Sequence, residues 1–452
     1  MRLTAERAAK SARAVAYEAE RFPAHLRVVT DTRTLVPGDT FLALRGERFD
    51  GHAYVREALE RGAVALVVDD PQARIAGVPT LLVRDTLRAY MDLAGAAREQ
   101  FEGRVVAITG SAGKTTTKHL LAQLLAARYG EARVLASPAN ENNEIGVSKL
   151  LLAAGAHDVV VVEMGARRYG DVAALVEIAK PHLGVLTNVG EAHLEIVGSR
   201  ERLAETKWAL FAGGARAVLN AQDEVSLSRA ASLPDAPAWF GIGEPTRAGT
   251  FVVDERTLSV ERGAQTLRVP IDARLPGAHN RRNLAAAIAA ALACGCGIEE
   301  LAEATKRLTL PSGRYDTIAI AGGPRIIYDA YNASMSGTMA TLDAFALESG
   351  GRRIAVLGSM AELGDEAASM HERVGEHAAA SNLDMLLVGG DFAGALAAGA
   401  RRAGLEPDRI VAFAANDDAV AWLREHAGPS DVVLLKGSRV YRLEEIVEGL
   451  KR

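Results

Sequence analysis

Short apolar runs of strand length alternate with helix-length amphipathic stretches along the whole chain. Several of these runs are apolar at every position, which is typical of strands that are covered on both faces. The alternation predicts parallel sheets flanked by helices, and therefore an α/β fold. The runs before residue 220 that predict strands are Arg27–Thr30, Thr40–Leu44, Val64–Val68, Thr80–Val83, Val105–Thr109, Asp158–Glu163, Gly184–Thr187 and Ala215–Leu219.

A further series of strand-length runs begins after Pro311-Ser312-Gly313. The spacing between its members leaves room for a helix each time, which predicts a Rossmann-like terminal domain. A chain of 452 residues is also too long for one compact core. We therefore predict three domains, over residues 1–100, 101–312 and 313–452. The predicted strands of the last domain are Arg325–Asp329, Arg353–Leu357, Asp384–Val388, Arg409–Phe413 and Asp431–Leu435.

The composition is that of an ordinary globular protein, with 49% hydrophobic and 24% charged residues. The formal net charge of -5 gives no general attraction to nucleic acids or membrane surfaces, so any anion site must be local. Cys294 and Cys296 are the only cysteines, which excludes a disulfide framework and a four-cysteine zinc site. We expect two small buried thiols in a reducing compartment.

Neither of two candidate targeting segments has the pattern of a membrane or export signal. Residues 1–21 are rich in charge and lack an apolar core, so no signal peptide is predicted. The most apolar run, Leu284–Ile298, is too short and too rich in alanine for a membrane span, and a buried helix explains it better. We expect a cytoplasmic protein without membrane insertion.

A glycine-rich loop between the strand that ends at Thr109 and a helix predicted over Lys118–Arg128 has the pattern of a phosphate-binding loop. Its glycines allow a tight turn in which successive N–H groups face an anion, and the helix N-terminus adds partial positive charge. The alternative is a strand-to-helix turn without chemistry. The loop reads Thr109-Gly110-Ser111-Ala112-Gly113-Lys114-Thr115-Thr116-Thr117.

Two side chains of this loop carry the expected chemistry of nucleotide binding. Lys114 is predicted to reach the β- and γ-phosphates, and the Thr115 hydroxyl to bind Mg²⁺. The spacing from Gly110 to Gly113 is shorter than in the GxxxxGK loop of most P-loop NTPases, which indicates a distinct subfamily.

Several polar residues near predicted strand ends are open to more than one interpretation. Glu163 ends a buried strand, where it is either a second Mg²⁺ ligand beside Thr115 or a helix-capping carboxylate. His193 lies in a polar loop, and a lone histidine is usually structural or solvated. The amides of residues 140–143 are turn formers or substrate contacts. Lys207 has the pattern of a helix-surface lysine.

Taken together, these segments resemble the Mur ligase family, and most of all its members that add D-alanyl-D-alanine. The resemblance covers nearly the whole chain. Its segments are Asp31-Thr32-Arg33, Pro37-Gly38-Asp39, Ala43 to His52, the phosphate loop, Asn140 to Val147, Glu163-Met164-Gly165, Thr187-Asn188, His193-Leu194-Glu195, Gly277 to Asn280 with Asn283, Ser312-Gly313-Arg314, Asp329 to Ala333, Val356 to Met360, Glu362-Leu363-Gly364 and Leu435 to Arg439.

This resemblance implies a small α/β domain for the UDP substrate, a central P-loop ATPase domain with a mostly parallel sheet, and a C-terminal Rossmann-like domain that closes over ATP and the incoming amine. It implies two Mg²⁺ ions, held by Thr115, Glu163, His193 and a carbamylated Lys207. The implied catalytic residues are Lys114, Lys207, His193 and Glu163. The implied ATP contacts are Gly110, Ser111, Ala112, Gly113, Lys114, Thr115, Thr116, Asn280, Arg314 and Asp329. The implied UDP-substrate contacts are Asp31, Thr32, Arg33, Arg45, Gly46, Asp50, Gly51, His52, Asn140 and Asn142, and the implied acceptor contacts are Tyr331, Asn332 and Ala333.

The implied reaction joins D-alanyl-D-alanine to UDP-N-acetylmuramoyl-tripeptide through an acyl phosphate, in the last cytoplasmic step of peptidoglycan precursor peptide assembly, by a monomeric enzyme. The family pattern Asn-Ala-Asn-Pro is here replaced by Asn332-Ala333-Ser334-Met335. The alternatives are a related ligase that adds a single amino acid and a regulatory P-loop ATPase. The strings expected of these alternatives, Asp-Asn-Pro-Arg and Asn-Lys-x-Asp, are absent.

Overall fold

The computed structural model describes residues 3–46, 49–190, 199–262 and 265–452. They form three sheets in succession along the chain, each covered by its own helices. The predicted α/β class with three sheet-bearing domains is therefore confirmed. The exact boundaries at residues 101 and 313 stay predictions.

The first sheet has five strands in the order β1-β5-β4-β3-β2, and all neighbours are parallel except β1 and β5. Its strands are β1 Val15–Tyr17, β2 Val28–Val29, β3 Thr40–Leu42, β4 Ala65–Val68 and β5 Thr80–Leu82. Its helices are α1 Ala5–Ser11, α2 Val55–Glu60 and α3 Thr86–Gln100. Asp85 begins α3 by accepting a hydrogen bond from the Arg88 backbone N–H, as an N-cap should.

The central sheet has nine strands in the order β14-β13-β12-β11-β10-β9-β6-β8-β7, parallel from β7 to β12 and antiparallel beyond. Its strands are β6 Arg104–Thr109, β7 Val134–Ala136, β8 Val159–Glu163, β9 Leu183–Leu186, β10 Arg216–Asn220, β11 Ala238–Ile242, β12 Gly249–Val252, β13 Thr257–Arg262 and β14 Gln265–Pro270. Its described helices are α4 Lys114–Tyr129, α5 Glu144–Ala153, α6 Asp171–Ala179, α7 Arg200–Trp208, α8 Glu224–Arg229, α9 Gly277–Ala293 and α10 Ile298–Ala304.

Two helices of this domain differ from the predicted ones. The helix α4 begins at Lys114 rather than Lys118, because Gly113 in the left-handed region brings the chain into the helix at once. The apolar run predicted as one helix ends at Ala293, where the chain turns through Gly295 with φ +92° before α10 begins. The alanine-rich α9 packs its small side chains against the buried leucines of α4.

The last sheet has six strands in the order β15-β16-β20-β17-β18-β19, and only β15 is antiparallel to its neighbour. Its strands are β15 Asp316–Ala319, β16 Arg325–Tyr328, β17 Arg353–Gly358, β18 Met385–Gly389, β19 Ile410–Phe413 and β20 Val432–Lys436. Its helices are α11 Met335–Phe345, α12 Ala367–Ala380, α13 Ala393–Arg402, α14 Asn416–His426 and α15 Glu444–Lys451.

The strand order of the central sheet decides where the polar residues meet. β6 lies between β8 and β9, and all three strands are parallel. The segments that follow them therefore emerge at one edge of the sheet, the usual location of ligands in open α/β sheets. Across the described ranges, no helix combines the length and apolar character that crossing a bilayer requires.

Candidate active site

The backbone of the phosphate loop, residues 110–113, requires glycine at both ends. Gly110 has φ +149° and Gly113 has φ +82°, values that other residues rarely adopt. A Cβ atom at Gly110 would overlap the Thr187 hydroxyl, and one at Gly113 would overlap the side-chain oxygen of Asn283. The loop is therefore packed closely against β9 and α9, without space for larger side chains.

The residues that follow β9 hold this loop in place. The backbone N–H of Ser111 donates to the Asn188 carbonyl (2.9 Å), and that of Ala112 donates to Asn188 Oδ1 (3.0 Å). The Thr187 hydroxyl donates to the carbonyl oxygen of Ala112 at 2.6 Å. The Ser111 and Ala112 peptide groups are thus held by Thr187 and Asn188, and this pre-organises the turn.

Lys114 begins α4, and its ammonium folds back over the loop. Nζ donates to the Gly110 carbonyl at 2.8 Å. Desolvation lowers the pKa of this lysine and Arg314 lowers it further, whereas Glu163 acts in the opposite direction. Lys114 and Arg314 together carry two positive charges, and Glu163 offsets only one of them. The remaining positive charge favours an anion beside the loop.

Glu163 ends β8 and is buried among donors from two other segments, α4 and the asparagine segment. Its Oε1 accepts hydrogen bonds from the Thr115 hydroxyl (3.2 Å) and from the Asn142 amide (3.0 Å). Its Oε2 lies 3.0 Å from the Lys118 ammonium, an ion pair without hydrogen-bond geometry. The side chain is therefore part of a polar cluster and does not cap a helix, which removes one of its two sequence interpretations.

The donors beside Thr115 are of the type that Mg²⁺ prefers. A hydroxyl and a carboxylate lie in direct contact, and Glu163 Oε2 is buried without a hydrogen bond. Magnesium is commonly held by one or two protein oxygens together with phosphates and water, so these residues fit that ion. The described residues contain no group of three or more His, Cys, Asp or Glu side chains that could hold a metal. His193, the predicted ligand of a second ion, lies outside the described residues.

Lys207, on α7, is buried to 1% exposure, so its interpretation as a helix-surface lysine is wrong. Burial lowers its pKa well below the usual lysine value, and repulsion from Lys114 lowers it further. The amine is therefore more often neutral at physiological pH than an exposed lysine. Only a neutral amine can react with CO₂ to form a carbamate, the modification that the family resemblance implies.

Asn280, in the first turn of α9, lines a small cleft of about 150 Å³ that adjoins the phosphate loop. Its amide donates to the Pro276 carbonyl at 2.9 Å, which fixes the side chain on the helix N-terminus. The cleft is lined by Ala112, Gly113, Thr116, Thr187, Asn188, Phe240, His279, Asn280, Arg282, Asn283, Arg314, Asp329, Ser336, Gly337, Ala340, Thr341 and Lys436. Six of the ten predicted ATP contacts, drawn from the central and last domains, thus line this one cleft.

The last domain contributes a buried ion pair to this region. Lys436 Nζ lies 3.0 Å from Asp329 Oδ2, which also accepts a hydrogen bond from the Thr341 hydroxyl at 2.6 Å. Desolvation lowers the pKa of Lys436, Asp329 opposes this, and Arg314 lowers it further. The Arg314 guanidinium lies over the Tyr331 ring at 4.7 Å from the ring centroid.

A larger cleft of about 270 Å³ separates the phosphate loop from the last domain. It is lined by Ser111, Ala112, Gly113, Lys114, Thr115, Thr116, Arg314, Asn332, Ala333, Ser334, Gly337, Ala361, Glu362, Leu363, Lys436, Ser438, Arg439 and Val440. Four of these residues are cationic and one is anionic. Such a surplus in a concave site attracts polyphosphates and carboxylates.

The predicted acceptor residues follow β16, and two of them, Asn332 and Ala333, line this cleft. Tyr331 is half-buried, Asn332 is exposed with Oδ1 accepting from the Ala333 N–H at 2.9 Å, and Ala333 is buried. Ser334 caps α11 by accepting from the Gly337 N–H at 3.3 Å. Met335 is the first helical residue and fills the core. The departure from Asn-Ala-Asn-Pro thus keeps a capping side chain but loses the rigid proline.

The first group of predicted UDP contacts lies on a short 3₁₀ helix, Thr32–Thr34. Asp31 caps it and forms an ion pair with Arg33 at 2.7 Å. Arg33 lowers the pKa of Asp31 to about 2, and Lys149 on α5 contributes to this shift. The charge of Lys149 therefore acts across the boundary between the first and central domains.

The second group of UDP contacts forms a tight loop between β3 and a 3₁₀ helix, Gly51–Tyr54. Asp50 caps this helix and accepts a hydrogen bond from His52 Nδ1 at 2.6 Å. Its other carboxylate oxygen, Oδ2, lies 3.3 Å from Arg45 Nε. Gly46 donates its N–H to the Phe49 carbonyl, and Gly51 donates to Leu44. Residues 47 and 48 of this predicted loop lie outside the described ranges.

The asparagine segment between β7 and α5 connects the predicted UDP and ATP regions. Asn140 is exposed, Asn142 contacts Glu163, and Asn143 caps α5 by accepting from the Gly146 N–H at 3.0 Å. Ile145 packs into the core of the first domain. The structure therefore brings these amides between the two regions, while their roles and those of the other predicted site residues stay predictions.

Several side chains at the site were not predicted from the sequence as functional residues. They are Lys118, Asn188, Asn283, Lys436 and Arg439. Lys118 follows Lys114 by one helical turn, a spacing that places both on one face and could have indicated it. The other four lie within segments that were noted for the resemblance alone.

Comparison with known proteins gives concordant results over the three domains. Residues 27–98 match the catalytic domain of the Mur ligase family, 108–291 the Mur ligase middle domain, and 313–439 the Mur ligase, glutamate ligase domain. A UDP-N-acetylmuramoyl-tripeptide–D-alanyl-D-alanine ligase of Synechocystis is 38% identical over 94% of this chain and 91% of that protein.

Solved structures agree with these relatives. A crystal structure of MurF from Acinetobacter baumannii superimposes with a TM-score of 0.87 at 28% identity, covering 100% of this chain and 99% of that one. A MurF ligase from Thermotoga maritima in complex with ADP has a TM-score of 0.78 at 29% identity, covering 94% of this chain and 97% of that one.

Proposed function

The chain belongs to the Mur ligase family, and we propose that it joins D-alanyl-D-alanine to UDP-N-acetylmuramoyl-tripeptide while ATP is converted to ADP and phosphate. The relatives that cover over nine-tenths of both chains carry that activity in their names. The product is the complete peptide of the peptidoglycan precursor. The substrates are small molecules, and we propose that the enzyme acts as a cytoplasmic monomer.

The observation that best supports this function is the composite cleft. Its floor is the phosphate loop of the central domain, and its opposite wall carries Arg314 and Lys436 of the last domain. A nucleotide phosphate bound at the loop would thus be contacted from both sides. Such an arrangement suits an enzyme that must seal a reactive intermediate from water.

The proposed reaction begins when the terminal carboxylate of the tripeptide attacks the γ-phosphorus of ATP, which forms an acyl phosphate and releases ADP. Lys114 is suited to stabilise the negative charge on the transferred group, because its ammonium already lies over the loop. Arg314 is suited to contact the same phosphates from the last domain. The free amine of the acceptor then displaces phosphate through a tetrahedral intermediate.

We propose that Thr115 and Glu163 hold one Mg²⁺, and that His193 and a carbamylated Lys207 hold a second. Bound Mg²⁺ would supply charge neutralisation for the phosphates and the attacking carboxylate. Carbamylation would convert Lys207 from a buried cation into an anionic oxygen ligand. Its lowered pKa supports this modification, because burial keeps the reactive neutral amine available.

We propose that Asn280 contacts adenine and that Asp329 contacts the ribose, since both line the cleft beside the phosphate loop. The residues around Asp31 and His52 would hold the UDP moiety, with Asn140 and Asn142 reaching the peptide side. Tyr331, Asn332 and Ala333 would meet the acceptor. Each of these assignments follows the family resemblance.

The test of the function is a phosphate-release assay with product identification by mass. UDP-N-acetylmuramoyl-tripeptides ending in diaminopimelate or lysine are offered with D-Ala-D-Ala, D-Ala-D-Ser, D-Ala-D-lactate and single amino acids. We expect the highest kcat/KM with D-Ala-D-Ala and no release without a UDP-muramyl peptide. Lys114→Ala should abolish turnover, whereas Lys306→Ala, which removes an exposed lysine paired with Glu303, should not.

A single amino acid with the highest kcat/KM would refute the dipeptide acceptor and leave only the family assignment. Phosphate release at the same rate with and without every acceptor would favour the regulatory ATPase instead.

A further inference from the structure

The dipeptide acceptor carries a terminal carboxylate, and the cleft must either bind that charge or leave it in water. Four cations line the cleft. Lys114 donates to a loop carbonyl, and Lys436 is paired with Asp329. Within the part of the chain that the structure describes, neither arginine side chain forms a hydrogen bond or an ion pair with a carboxylate or a carbonyl. Arg314 and Arg439 are therefore the available anion partners.

The two arginines differ in depth. Arg314 is half-buried, its Nε is shielded from solvent, and its charge lowers the pKa of both Lys114 and Lys436. It therefore belongs to the inner end of the cleft, beside the phosphates. Arg439 is exposed and approaches Tyr331 from the outer wall, with its guanidinium 5.6 Å from the ring centroid.

The backbone that carries Arg439 is well fixed. Ser438 N–H donates to the Ser359 carbonyl at 3.1 Å, and a 3₁₀ helix, Arg439–Tyr441, follows at once. The Tyr441 hydroxyl donates to Asp391 Oδ2 at 2.8 Å, which anchors this helix to the loop after β18. Binding an anion at Arg439 would therefore order its side chain but would not also have to order its backbone.

Apolar side chains form part of the lining of the cleft that holds Arg439, together with the polar residues Asn332, Ser334 and Glu362. Ala333 and Leu363 are buried, and Val440 is 69% exposed although it is a large apolar side chain. Val440 follows Arg439 in the chain, and the guanidinium has no carboxylate partner among the described residues. This combination suits a ligand with methyl groups and a carboxylate. D-Ala-D-Ala has both and no larger side chain.

We propose that Arg439 binds the terminal carboxylate of the dipeptide acceptor and so determines the specificity for an acceptor with a free C-terminus. This inference rests on the proposed function. Arg439 is a specificity residue in this assignment, because it contacts the substrate away from the reacting amine. A planar guanidinium can bind a carboxylate through two parallel hydrogen bonds, which gives both strength and orientation.

The experiment compares D-Ala-D-Ala with D-alanyl-D-alaninamide, which lacks the terminal charge, as acceptors for the wild type, Arg439→Met and Arg439→Lys. We expect Arg439→Met to lower kcat/KM for the acid by about 10- to 100-fold, mainly through KM, because one charge-assisted bidentate contact is lost. Its kcat/KM for the amide and its KM for ATP should stay those of the wild type. Arg439→Lys should restore part of the preference for the acid.

Arg442→Met is the matched control, since Arg442 lies three residues away and is exposed in an ion pair with Glu445 at 2.9 Å. It should leave both acceptors unaffected. An equal loss for acid and amide with Arg439→Met, or a raised KM for ATP, would overturn the assignment and place this arginine in packing or phosphate binding. A wild type that uses neither dipeptide would instead overturn the proposed function, so the two failures are distinct.

Discussion

Buried lysines are costly because an ammonium loses its hydration, yet three of them lie in or near the candidate active site. Lys118, Lys207 and Lys436 are each no more than 4% exposed. Lys118 and Lys436 have carboxylate partners, so their charges are compensated within the protein. Lys207 differs because the nearest charge acting on it is another cation, Lys114. This environment favours the neutral, reactive form of the Lys207 amine.

The first residue-scale prediction concerns that reactivity. We expect Lys207→Ala to reduce turnover to near background and short carboxylic acids to restore part of it by occupying the vacated space. In wild-type enzyme, buffers stripped of CO₂ should lower activity and added bicarbonate should recover it. The modification itself is checked with ¹³C-bicarbonate by NMR. A plain amine at high bicarbonate would contradict the prediction.

The second residue-scale prediction concerns His279, whose pKa is lowered to about 4 chiefly by burial. The unfolded chain, with a usual histidine pKa of about 6.5, binds a proton there that the folded chain does not. Stability is therefore complete above pH 6.5 and falls as the pH drops toward 4. By linkage the loss is on the order of 2–3 kcal/mol.

The check is the unfolding midpoint of the full chain from pH 7 to pH 4. His279→Asn should flatten the fall relative to the wild type, since the buried titrating group is gone. His25→Asn, which removes an exposed histidine, should follow the wild type. Parallel curves for all three proteins would show that another group dominates acid sensitivity.

At the scale of elements, the last domain contains a helix pair that depends on two glycines. Gly375 on α12 lies against the Leu396 carbonyl of α13, and Gly399 on α13 lies against the Glu372 carbonyl of α12. A Cβ atom at either position would overlap backbone atoms of the other helix. The two helices therefore approach each other more closely than larger residues allow.

This contact gives the element-scale prediction. Gly399→Ala should lower the free energy of unfolding by about 1–3 kcal/mol, because backbone atoms cannot move aside as side chains can. Gly394→Ala on the same helix meets no atom within 4 Å and should be neutral or stabilising by up to about 1 kcal/mol. Urea unfolding of both variants checks this. Equal urea midpoints for the two variants would mean that α12 and α13 can move apart without a loss of stability.

At the scale of the whole molecule, the two domain junctions are built differently. The first and central domains are joined by the buried Arg98, which donates to the carbonyls of Ala179 (2.8 Å) and Lys180 (3.0 Å). The central and last domains meet around the polar cleft and where Gly277 of α9 lies close to Ala344 of α11. A buried, fully bonded junction is expected to stay rigid, whereas a polar cleft can open.

We therefore predict that the last domain moves relative to the other two, with the segment near Arg314 as its hinge. Small-angle scattering should show a more compact particle when a non-hydrolysable ATP analogue and the UDP-muramyl tripeptide are both present. Their separate addition should have smaller effects, because closure needs ligands from both sides. Identical profiles under all conditions would contradict the motion.

Features of the fold and of the site that depend on residues close together in the sequence were predictable from the sequence by itself. The α/β class followed from the alternation of apolar runs, because periodicity reports which faces are covered. The phosphate loop followed from Gly110, Gly113 and Lys114, since a tight turn before a helix needs those residue types at that spacing. The family resemblance was likewise carried by short ordered segments, and the relatives confirm it.

Features that depend on distant segments were decided only by the tertiary structure. Strands β1, β7 and β11 to β15 were missed, because a short strand is defined by its partner as much as by its own sequence. The burial of Lys207 and the ion pair between Lys118 and Glu163 arise from segments tens of residues apart. The desolvation and the neighbouring charges that set a pKa are properties of the packed chain, so a linear pattern of residues does not contain them.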